Sequence, residues 1–129
     1  MPEPKLILIV DDEPDFREIF STKLSSLGYR TETAANGEEG VKKAKVLKPD
    51  LILMDVKMPK MGGAEAVLAL RNDPDTKDIK AVFLTSLGDP RAEMQEINRK
   101  FSSEFGAQGY IKKTDDLDSI MEKIQAFLQ

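Results

Sequence analysis

The chain has 129 residues, 40% hydrophobic and 33% charged, with a formal net charge of −4. This is enough for one domain with its own core; the mild acidity argues against nucleic acid as a direct partner, and no apolar run approaches the ~20 residues of a membrane span. Cysteine and histidine are absent, which excludes disulfides, thiol nucleophiles, an internal histidine base and Cys- or His-based metal sites.

Any metal must therefore sit among oxygen ligands, which favours Mg²⁺, Mn²⁺ or Ca²⁺. A phosphohistidine, if one is involved, must belong to another protein. With no signal-peptide pattern and no membrane insertion expected, a cytoplasmic location is the simplest expectation.

Taken in chain order, strand-length apolar runs alternate with segments of helical period. Leu6–Val10 reads as a strand buried on both faces. Phe16, Ile19, Phe20, Leu24 and Leu27 mark one face of a helix, with Gly28 at the position of a C-terminal cap. Tyr29–Ala34 is a more polar strand, as expected at a sheet edge. Asn36 can cap a second helix with Val41, Ala44 and Leu47 on its face, stopped by Pro49. Leu51–Met54 is a third strand ending at Asp55, followed by the loop "VKMPKMGG" and helical composition over Ala64–Leu70.

"NDPDTKD" is a loop, and Ile79–Leu84 a fourth strand. Asp89-Pro90 can open a fourth helix with Met94, Ile97, Phe101 and Phe105 on one side. Gly109–Lys112 is a fifth strand. The last helix carries Leu117, Ile120, Met121, Ile124, Phe127 and Leu128. Strands alternating with helices predict an α/β fold, a parallel sheet covered on both faces, and right-handed crossovers make it doubly wound.

In such a sheet the C-terminal strand ends open on one rim, where ligands bind. The first strand delivers Asp11 and Asp12 to that rim, the third Asp55, the fourth Thr85 and Ser86, and the fifth Lys112 and Lys113. Any one of these has an ordinary structural explanation; together they would be a series of coincidences at equivalent strand ends. Clustered carboxylates stay ionised cheaply only around a cation. With a hydroxyl and an ammonium beside them, they suit phosphoryl transfer, in which a carboxylate can serve as nucleophile.

At these residues the chain resembles the response-regulator receiver domains of two-component signalling. The resemblance runs from Leu6 to the last helix and is carried by "LIVDDE", "LILMDVKMPKMGG", "VFLTS" and "GAQGYIKK". It implies a five-stranded flavodoxin-like sheet of order 2-1-3-4-5 and a single receiver domain over residues 1–129 without a separate output domain. It implies a phosphorylation-dependent switch, not an enzyme in the usual sense. Asp55 would be the phosphoacceptor, taking its phosphoryl group from a sensor histidine kinase or a histidine phosphotransfer protein. Mg²⁺, replaceable by Mn²⁺, would be held by Asp12, Asp55 and the backbone carbonyl of Lys57, with Asp11 acting mainly through a metal-bound water. Lys113 would pair with Asp55 and then with the phosphoryl oxygens, Thr85 would turn its hydroxyl toward them, and Tyr110 would follow inward. The face made by the fourth helix, fifth strand and fifth helix would carry the signal to a downstream target protein.

Lys113 is preferred to Lys112 because it lies three residues after Tyr110, and strand alternation turns the two lysines to opposite faces. Thr114 stands where the family usually has a proline, Ser86 where alanine is common. The Thr85–Lys113 segment is longer than usual by roughly a turn and a half of helix, so an extended fourth helix or a longer loop is expected there. Lys57 and Leu87 flank the site at positions expected to tune the phosphoryl lifetime. The alternatives within this fold are a phosphorelay intermediate and a degenerate receiver acting only as an interaction module. A flavodoxin-like cofactor binder would want a Ser/Thr/Gly-rich turn where this chain has acids, and Gly-x-Gly-x-x-Gly and P-loop motifs are absent. An aspartyl phosphohydrolase would carry Asp-x-Asp after the first strand, and this chain does not.

Overall fold

The computed structural model describes residues 4–56, 58, 61–85 and 107–128, with the side chains of 85 and 107–110 excepted. The expected fourth helix, with Asp89, Pro90, Met94, Ile97, Phe101 and Phe105, lies outside these residues, as do Lys57, Ser86 and Leu87.

Five strands, β1 (Leu6–Val10), β2 (Arg30–Ala34), β3 (Leu51–Asp55), β4 (Lys80–Thr85) and β5 (Ala107–Lys112), form one parallel sheet of order β2-β1-β3-β4-β5. Helices α1 (Pro14–Ser26), α2 (Gly37–Leu47) and α3 (Gly63–Arg71) and a C-terminal helix (Leu117–Phe127) flank it. No helix among the described residues is long and apolar enough to cross a membrane.

Strand alternation builds two cores. Leu8, Val10, Ile52, Met54, Ala81 and Phe83 turn to one face with α2 and α3, joined by Ala44, Ala66, Val67 and Leu70. Ile7, Ile9, Leu51, Leu53, Val82, Leu84 and Ile111 turn to the other, against Phe20 and Leu24 of α1 and Ile120, Met121 and Ile124 of the C-terminal helix. A strand covered on both sides must be apolar at every position, which is why β1 and β3 are uninterrupted aliphatic runs up to their acids. At the edge, β2 alternates exposed and half-buried residues before Ala34.

The helix ends follow local chemistry. Gly28, at φ +95°, closes α1: its N–H donates to the Ser25 carbonyl and the Tyr29 N–H to that of Leu24, a Schellman arrangement. Asn36 caps α2, its side-chain oxygen accepting from the Glu39 N–H at 2.9 Å, and Lys48 turns left-handed just before Pro49. Asp116 caps the C-terminal helix by accepting from the Ser119 N–H.

Two expected helix faces need correction. Ile19 is 48% exposed and Leu27 43%; the contact stripe of α1 runs through Phe16, Phe20 and Leu24, one turn apart, and leaves those two at its margins. On α2 the close approach to β1 is made by small residues, not by Leu47, which is exposed. A Cβ on Gly40 would overlap the side chain of Val10.

Candidate functional site

The order of strands reverses across β1 and β3, and the polar residues gather where these two strands end. Asp11 follows β1 immediately. Its N–H donates to the Ala34 carbonyl, its Oδ1 accepts from the Glu13 N–H at 2.9 Å, and its carbonyl accepts from Arg17 Nη1 at 2.7 Å. These bonds hold a fully buried carboxylate in one orientation. Asp12 is exposed beside it, and Asp55, the last residue of β3, is buried.

Asp11, Asp12 and Asp55 each bring one oxygen within 4.8 Å of the others. Octahedral ligands about 2.1 Å from Mg²⁺ stand roughly 3–4 Å apart, so a small contraction would close this group on a hard cation. The donor set fits the metal on two counts: every ligand is a carboxylate oxygen, and the buried Asp11 Oδ2 has, among the described residues, no partner besides its ion pair with Lys113. The cluster can therefore coordinate a divalent cation.

Lys113, one residue beyond β5, reaches into the same cup with its side chain only 1% exposed, whereas Lys112 points to solvent. Its Nζ lies 2.6 Å from Asp11 Oδ2, 3.2 Å from Glu13 Oε1 and 3.6 Å from Asp55 Oδ2. The expected Lys113–Asp55 pairing is thus present but is the longest of the three. The ring of Phe16 covers the ammonium, 4.2 Å from centroid to Nζ.

Electrostatics follow from this crowding. Burial, and then the charge of Asp11, push the Asp55 carboxyl up to about 7; Lys113 opposes the rise and Asp12 adds to it. For Lys113, burial pulls the pKa down, but the hydrogen bond and charge of Asp11, then Asp55 and Glu13, outweigh it and leave it raised. The lysine keeps its positive charge, and burial beside Asp11 makes the ionised form of Asp55 costly.

Thr85 ends β4 with Lys112 as its partner in β5, and Tyr110 stands in β5 opposite Phe83; their side chains are outside the described set. Three contributors are not expected at the site from the sequence: Glu13, Phe16, whose spacing marks it only as part of the α1 face, and Arg17. Glu13 and Lys113 lie 100 positions apart, a separation at which no local pattern speaks. Only the position of Glu13 at the start of α1, close to Asp11, hinted at proximity to the cup.

The comparisons agree with this geometry. The family model for the response regulator receiver domain matches residues 7–125. A master transcriptional regulator of Synechocystis, RpaA, is 35% identical over 123 residues, covering 95% of this chain and 48% of that protein. PilH of Pseudomonas aeruginosa is 33% identical and is covered over 96% of its length, with 95% of this chain aligned. The chain thus spans about half the length of relatives such as RpaA and nearly all of PilH. Among solved structures, Vibrio cholerae CheY4 aligns with a TM-score of 0.83 at 31% identity, covering 96% of this chain and 98% of that one. Thermotoga maritima TrrA, solved with Mg²⁺ and BeF, aligns with a TM-score of 0.78 at 34% identity, covering 95% and 98%. The chain belongs to the response regulator receiver domain family. Its acid cluster, able to hold a divalent cation beside a buried lysine, is consistent with the Mg²⁺-dependent aspartate phosphorylation of that family, whose members are not enzymes in the conventional sense.

Proposed function

We propose that the chain is a phosphorylation-dependent switch in which Asp55 is the phosphoacceptor. A phosphohistidine on a sensor histidine kinase or a histidine phosphotransfer protein supplies the phosphoryl group. One Asp55 oxygen forms the bond to phosphorus as the phosphorus–nitrogen bond breaks, its electron pair returning to the partner's imidazole. Asp11, Asp12 and Asp55 hold the Mg²⁺, together with the backbone carbonyl of Lys57, and the ion supplies charge neutralisation at the phosphoryl oxygens. Lys113 binds those oxygens from the other side. Thr85 and Tyr110 relay the change to the face of β5 and its neighbouring helices, for a downstream target protein to read.

The observation that carries this reading is the convergence of three carboxylate oxygens within 4.8 Å with a buried ammonium 3.6 Å from Asp55. A degenerate receiver would have no use for three carboxylates gathered around a single buried ammonium. The test is incubation with acetyl phosphate and Mg²⁺: the wild type should acquire an acid-stable, base-labile acyl phosphate that Asp55→Asn does not. Equal modification of the two proteins would remove Asp55 from the role.

A further inference from the structure

Lys113 has a carboxylate partner that the phosphoacceptor reading does not require. Of the three carboxylates around its Nζ, Asp55 is the most distant at 3.6 Å, and Glu13 lies closer at 3.2 Å. Glu13 occupies the N-cap position of α1, where a side chain would ordinarily accept from the helix's first N–H groups, yet it makes no capping bond. Its carboxylate turns instead to Lys113, and the Phe16 ring covers the same ammonium.

Asp11 and Glu13 differ in what holds them. Asp11 is buried and fixed by its hydrogen bonds, whereas the Glu13 side chain is 51% exposed and free to let go. An ammonium has three N–H donors and no more. Asp11 and Glu13 lie within hydrogen-bond reach of that ammonium and Asp55, at 3.6 Å, does not, so a phosphoryl group on Asp55 must draw Lys113 toward itself against the hold of Glu13.

We propose that Glu13, with the ring of Phe16, forms a resting station for Lys113 that competes with the phosphoryl group for the same ammonium. Glu13 is thus a positioning residue that weakens the hold on a phosphorylated Asp55 and shortens its life. The inference rests on Asp55 being the phosphoacceptor.

Beryllofluoride binding in the presence of Mg²⁺, measured by calorimetry on the full chain, tests it. Glu13→Gln keeps the shape and removes the charge, and should bind about two- to fivefold more tightly, the range of a half-exposed ion pair. Its acyl phosphate should last longer by a similar factor. Glu13→Asp separates competition from plain repulsion of the anion. It keeps the charge but is shorter and a better helix cap, so it should release Lys113 and behave like Glu13→Gln. Affinity of Glu13→Gln equal to or below wild type, or wild-type behaviour of Glu13→Asp, would overturn the resting station. Wild-type protein that binds no beryllofluoride would instead overturn the phosphoacceptor reading itself.

Discussion

Gly63, the first residue of α3, lies against the backbone of Asp55. A Cβ placed on it would overlap the Asp55 carbonyl oxygen, and its own N–H donates to the Val56 carbonyl at 2.9 Å. The helix can start this close to the end of β3 only because position 63 has no side chain. The "MGG" of the loop is therefore part of what holds Asp55 at the rim.

Gly63→Ala should accordingly destabilise the domain by about 1–3 kcal/mol, the usual range for forcing a methyl into a packed contact. It should also weaken Mg²⁺ and beryllofluoride binding, because the strain is relieved by moving the strand end that carries Asp55. Urea unfolding and calorimetry read the two effects. Stability within experimental error of wild type would show that the backbone yields freely there.

Mg²⁺ binding should depend on pH through Asp55. Its carboxyl is raised to about 7 by burial and by Asp11, and a metal ligand must be deprotonated. Apparent Mg²⁺ affinity should be nearly constant above that pH and fall about tenfold per unit below it. The same shift fixes the sign for metal-free stability. Between the ordinary carboxylate range and about 7 the folded state binds the extra proton, so this group's contribution falls as pH rises through that window and then levels off. Mg²⁺ should therefore stabilise more at pH 8 than at pH 6. Thermal unfolding with and without the ion checks it, and a pH-independent increment would refute it.

Lys113→Met should cost about 3–5 kcal/mol in metal-free protein, since it leaves the buried Asp11 and Asp55 without their shared cation. Saturating Mg²⁺ should restore part of that loss by supplying positive charge to the same carboxylates. Denaturant melts of both proteins, each with and without Mg²⁺, provide the measurement. A loss that Mg²⁺ leaves untouched would mean that lysine and metal do not share the site.

Most of the fold is legible along the chain because its signals are local. The aliphatic runs of β1 and β3 are uninterrupted because both faces are covered. Gly28 and Asn36 stand where helix ends demand them. The polar character of β2 marks an edge. The expected faces of α1 and α2 were less accurate, because a helix's period says which residues share a side but not how wide a stripe its neighbours cover. Ile19 and Leu27 fall outside the stripe for that reason, and Gly40 meets Val10 where a larger residue looked the natural contact.

The sequence by itself determined the alternation of strands and helices, the rim on which Asp11, Asp12, Asp55 and Lys113 must meet, and the oxygen-only chemistry of any metal there. Those follow from strand period, the parallel sheet and residue types, all of which act over a few residues or over the whole composition. Only the tertiary structure decided how the charges are shared. It ties Lys113 most closely to Asp11, at 2.6 Å, brings Glu13 and Phe16 onto the same ammonium, and sets Gly63 against Asp55. Coulomb forces and steric contact depend on distances of a few ångströms between residues far apart in the chain, and those distances exist only once the sheet has assembled.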